Sequence, residues 1–177
     1  MDAYTIPINN CIIVIKNNLD WYQTIVALFH ELAHVYDFIE FSQKYKICIE
    51  DIRNHKLFEA LKLYSETNAY YLGNKLALEF LNQKNSMMKQ FFCNYVKPID
   101  VRLDALRKNQ LPVDELFQSV GYLLFYGYLY CSEDYLSLLP DFVSDNRRKI
   151  VDSILNAYFS HDVEIVSHTI DQLFPVK

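Results

Sequence analysis

Apolar positions along the chain fall into a few long runs separated by short polar connections. The first run, residues 11–15 (CIIVI), is β-branched and bounded by Asn9, Asn10, Asn17 and Asn18, a pattern that predicts a short strand. Asp20 with Gln23 three residues on has the form of a capping box, and Ile25, Leu28, Phe29, Leu32, Tyr36 and Ile39 then recur at helical spacing. That spacing predicts a helix with this face turned to the core. Val26, Ala27, Ala33, Val35 and Phe38 make its other faces apolar as well, so the helix should be covered on most sides.

After a polar stretch over residues 43–54, a second helical segment is predicted over residues 55–81, with Phe58, Leu61, Leu72, Leu76 and Phe80 as core positions. Further helices are expected over residues 88–106, 113–130, 149–160 and 163–173, joined by polar connections around 82–86, 108–112 and 144–148. No repeat or low-complexity linker interrupts the chain. The expected fold is mainly α (α+β) and a single domain over residues 1–177: a core over 1–83 with a short N-terminal β region, then a helical C-terminal bundle over 84–177.

Composition narrows this picture. With 177 residues and 51% hydrophobic content the chain can bury a core, and only 3 Gly and 5 Pro disfavour a many-stranded sandwich or barrel. Lys and Arg total 17 against 22 for Asp and Glu, a net charge of -5 without a basic cluster, which argues against nucleic acid as a partner. The longest apolar stretch, residues 120–131, is too short to cross a bilayer and rich in Tyr. Cys11, Cys48, Cys93 and Cys131 form no CxxC pair, and no signal peptide precedes them. Buried free thiols and a cytoplasmic location, without a membrane partner, are the expectation.

Ionisable residues interrupt the first apolar helix in the string ALFHELAHVYDF. His30 and His34, one helical turn apart, can present both imidazoles to one tetrahedral Zn ion at roughly 2.0 to 2.1 Å. Glu31, rotated about 100° from His30, would sit beside such an ion, placed to take a proton from an activated water. This is the HExxH pattern, set against the bland alternative of a solvated face shared with Asp37 and Glu40. The third ligand should come from a neighbouring element. Glu66, followed by the small residues Ala69 and Gly73 that permit close helix approach, is preferred over Glu59, which lies two turns earlier on the same face. His55, His161 and His168 have no spacing that recommends them. Asp37 either orients a ligand His through its far ring N–H or is a solvated carboxylate near the helix end.

The order of a short β run (CIIVI), a polar link, a helix reading TIVALFHELAHVYDF and a later helix reading SETNAYYLGNKLALEFL resembles the ImmA/IrrE-type metallopeptidases, a compact branch of the gluzincins within the HExxH zincins. The likeness covers about residues 11–81, and Ala33 stands where members often have Gly. It implies Zn2+ held by His30, His34 and Glu66, Glu31 as general base, and hydrolysis of a peptide bond in a protein substrate. Tyr70, one turn from Glu66, is the candidate donor to the developing oxyanion. The CIIVI run either offers an edge to an extended peptide or forms the core of a small sheet. Two other functions compete with the protease reading: a catalytically inactive zincin-fold module that binds a protein partner, and an effector or toxin protease delivered into another cell.

Overall fold

The computed structural model describes residues 3–7, 11–84, 113–139 and 144–175. Two short strands come first, β1 (Ala3–Ile6) and β2 (Ile12–Ile15), paired antiparallel from Ala3 opposite Ile15 to Ile6 opposite Ile12. β2 is the β-branched run read from the sequence. β1 was not anticipated; its four residues carry too little alternation to signal a strand, and pairing with β2 defines it.

The long helix α1 (Trp21–Tyr45) follows, started by the expected capping box: the Gln23 backbone N–H donates to Asp20 Oδ1 at 2.7 Å and the Asp20 backbone N–H donates to Gln23 Oε1 at 3.2 Å. It ends where Lys46 adopts a left-handed conformation and donates its N–H to the Ser42 carbonyl. A 3₁₀ segment (Ile49–Asn54) leads to α2 (Phe58–Asn68), which continues through a π-helical turn (Ala69–Gly73) into α3 (Asn74–Lys84). The later described helices are α4 (Val113–Tyr130), α5 (Asp145–Phe159) and α6 (Val163–Leu173), with a 3₁₀ turn (Tyr135–Leu138) between α4 and α5. The molecule is therefore mainly helical. The helix expected over 88–106, the connection over 108–112 and Cys93 lie outside the described residues.

α2 occupies the middle of the packing, with α1, α4 and α6 against it, and α5 beside α4 and α6. Phe117, Phe125, Leu124, Leu61, Leu81, Ile154 and Val166 fill the space between them. The two-stranded sheet lies against α1.

Two predicted core faces are displaced. On α1, Leu32, Tyr36 and Ile39 are exposed, while Ala33, Phe38 and Phe41 are buried together with Glu31, His34 and Asp37. A helix apolar on nearly every side gives periodicity no contrast from which to choose its inward face. Along the second segment Leu61 is buried as expected, but beyond residue 69 the buried positions in this segment are Gly73, Asn74, Ala77, Leu78 and Leu81, while the expected Leu72, Leu76 and Phe80 are only half-buried. The π-helical turn accounts for this, because one extra residue rotates everything after it by about 100°. Cys48 and Cys131 are free but exposed, and Cys11 is half-buried, so the thiols are not the buried set expected. Among the described residues no helix is long and apolar enough to cross a membrane.

Candidate metal centre

His30, Glu31, His34 and Asp37 all lie on α1, and Glu66 lies on α2, which packs against it. The two segments approach closely because small residues line the contact. Ala69 is fully buried, and a Cβ added to Gly73 would come within 2.8 Å of His30 Cα, so any larger residue there would have to push the helices apart. One ligand atom from each of His30, His34 and Glu66 falls within 4.8 Å of the other two, a group that could hold a metal ion. His34 Nε2 and Glu66 Oε1 stand 3.8 Å apart, beyond hydrogen-bonding reach, and so converge without bonding each other.

Each member of the group has a support. The His30 ring meets the edge of the His34 ring with centroids 4.9 Å apart and the edge of the Tyr70 ring at 4.7 Å; Tyr70 in turn packs on Tyr122 at 4.6 Å. Gly121 on α4 allows this, since a Cβ there would lie 2.7 Å from Tyr70 Cβ. His34 Nδ1 lies 2.7 Å from the hydroxyl of Ser65, which is fully buried. Glu66 Oε2 accepts from Gln118 Nε2 on α4 at 3.2 Å.

Burial lowers the His34 pKa to about 4, so the imidazole is neutral near pH 7 and keeps a lone pair on one nitrogen. Burial raises the Glu66 pKa above the usual carboxylate range, opposed by the Gln118 hydrogen bond and reinforced by the Glu31 charge. Glu31 is itself buried. It accepts from Thr5 Oγ1 at 2.8 Å, so β1 holds the side chain that follows the first ligand; burial raises its pKa and the Thr5 hydrogen bond opposes that rise. Two imidazoles and a carboxylate, brought together from two helices with a second carboxylate alongside, are a donor set suited to a divalent cation.

The other candidates are placed elsewhere. Glu59 is exposed and pairs with Lys62 at 2.6 Å. His55 packs on Phe41 and Tyr45, His161 lies beside the Tyr64 hydroxyl, and His168 beside Gln172. Asp37 is buried, not solvated. It accepts from Asn68 Nδ2 at 2.8 Å, and burial pushes its pKa up to about 7, opposed by Ser65 and Asn68. The partner the structure gives His34 Nδ1 is the Ser65 hydroxyl, so Asp37 is not the direct acceptor from that ring. Sequence reasoning missed Ser65 and Thr5, because a hydroxyl advertises no chemistry until its neighbours are known.

No family model, no curated protein and no solved structure matches the chain.

Proposed function

We propose that this chain is a zinc-dependent endopeptidase of the ImmA/IrrE type, built on a minimal zincin-like core. The observation that carries the proposal is the meeting of His30, His34 and Glu66 ligand atoms within 4.8 Å, with the buried Glu31 next to His30 on the same helix. The resemblance in residues 11–81 supports the same reading independently of the geometry.

A zinc ion held by His30, His34 and Glu66 supplies Lewis acidity toward a water molecule and a substrate carbonyl. Glu31 does the proton work. Its carboxylate accepts a proton from the attacking water and returns it to the departing amine, and a buried carboxylate whose pKa is raised suits both halves of that exchange. Thr5 keeps it from swinging away by holding one oxygen. Tyr70, packed on the His30 ring, is the group from which a hydroxyl can approach the developing oxyanion.

The test pairs metal analysis of protein purified without chelators with a Glu31→Gln variant assayed on a peptide library digested from a whole proteome. We expect one zinc per chain in both proteins, with new peptide N-termini produced by the wild type only, at a rate about 10²–10⁴-fold above the variant. Wild-type protein without zinc would refute the proposal, and so would equal cleavage by the two.

A further inference from the structure

Glu66 reaches the metal group from α2, but a side chain on α4 governs how it arrives. Thr67, the residue after Glu66, donates its hydroxyl to the Phe117 carbonyl at 2.9 Å, and Gln118, the residue after Phe117, donates from Nε2 to Glu66 Oε2 at 3.2 Å. One turn further along α4, a Cβ added to Gly121 would collide with the Thr67 carbonyl, so the two helices touch backbone to backbone there. Thr67, Phe117 and Gly121 are buried, and Gln118 is half-buried at the rim of their contact. The Gln118 amide is thus delivered from a stretch of α4 that is held in place beside Glu66.

The two oxygens of Glu66 have different surroundings. Oε1 stands 3.8 Å from His34 Nε2, on the side where the three ligand atoms gather, and Oε2 is the atom that Gln118 engages. A carboxylate turns softly about its last torsion, with roughly two-fold symmetry, so two unheld oxygens would be interchangeable and both could reach one cation. A hydrogen bond to one of them ends that equivalence. The donor is a neutral amide, which binds an anionic oxygen without setting a positive charge beside the ion, as Lys or Arg would.

We propose that Gln118 is a positioning residue of the metal group, holding Oε2 of Glu66 back so that the carboxylate ligates through Oε1 alone. The inference rests on the metal-binding reading above and deepens it. Ligation through one oxygen matters because a hydrolytic zinc site keeps a position for water, which a second Glu66 oxygen would crowd. The C-terminal half gains a part in the site through a residue 52 positions along the chain from the ligand it holds.

Gln118→Met keeps the length of the side chain and a good helix former but removes the donor. In competition with a chromophoric chelator it should bind zinc about 10–100-fold more weakly than wild type. Glu66→Ala should also bind weakly, and adding Gln118→Met to it should cost nothing further, because the amide acts only through the carboxylate. In cobalt-substituted protein the visible bands of wild type should have the intensity of a four-coordinate ion, and Gln118→Met should weaken them as Oε2 joins the ion. Circular dichroism checks that each variant is folded. A cobalt spectrum unmoved by Gln118→Met overturns the proposal, and so does a zinc loss that recurs in full on the Glu66→Ala background, the mark of a residue that only packs. Either result leaves the metalloprotease reading standing, whereas a wild type that binds neither zinc nor cobalt overturns both.

Discussion

α1 and α4 are the two longest described helices, and both bury a broad face, but they bury different things. Along α4 the buried face is Leu116, Phe117, Val120, Leu123, Leu124 and Phe125, with Ser119 turned back onto the Glu115 carbonyl. Along α1 it alternates Ala33, Phe38 and Phe41 with Glu31, His34 and Asp37. The first arrangement is what burial favours; the second is costly unless each polar group finds a partner. Those partners come from β1 for Glu31 and from α2 for His34 and Asp37. α4 thus holds the molecule together, whereas α1 carries groups whose burial makes sense only through what they do together.

If that division is right, substitutions in the two helices should separate stability from metal binding. Phe125→Ala, at a fully buried position on α4, should lower unfolding free energy in urea by about 3–5 kcal/mol while folded protein keeps its zinc affinity. Parallel loss of zinc from the folded fraction would break the distinction. Gly73→Ala acts where the second segment touches α1. Its Cβ would meet the His30 backbone at 2.8 Å, so we expect about 1–3 kcal/mol of destabilisation together with weaker zinc binding in chelator competition.

A third test concerns pH. The Asp37 pKa is raised to about 7 in the folded protein, above its ordinary 3.8, so its contribution to stability is present below pH 3.8 and is lost as pH rises through about 7. His34 works in the opposite sense, because its pKa is lowered from 6.5 to about 4 and its contribution is lost as pH falls through that range. In metal-stripped protein the two slopes oppose each other. Asp37→Asn should therefore unmask a stability that climbs between pH 4 and 6.5, by at most about 1.4 kcal/mol per pH unit. Urea denaturation at several pH values reads it directly, and an unchanged slope would mean that Asp37 ionises freely in the folded chain.

Much of this was legible beforehand because the relevant signals are local. The Asp20 and Gln23 capping box marks the start of α1, and the expected helices over 113–130 and 163–173 match the observed α4 and α6. HELAH marks His30, Glu31 and His34 as candidates through spacing alone, and the geometry brings Glu66 to the two histidines and leaves Glu59 paired with Lys62 in solvent. What could not be read depends on contacts distant in sequence. The inward face of α1 is chosen by α2 and the π-helical turn, which meet it at His34, Asp37 and Phe38 and not at Leu32 and Tyr36. Asp37 had two open readings, and neither holds: it is buried and accepts from Asn68, while His34 Nδ1 meets the Ser65 hydroxyl.

The turn over Ala69–Gly73 carries a consequence for how this segment can vary. The extra residue it absorbs sets which face α3 presents: wound as uniform α-helix with every residue retained, α3 would turn by about 100°. Gly73 would then no longer face His30, and a bulkier side chain would meet the His30 backbone. A one-residue deletion within the turn restores uniform winding and leaves α3 in place, so this segment tolerates shortening at the turn better than straightening at constant length.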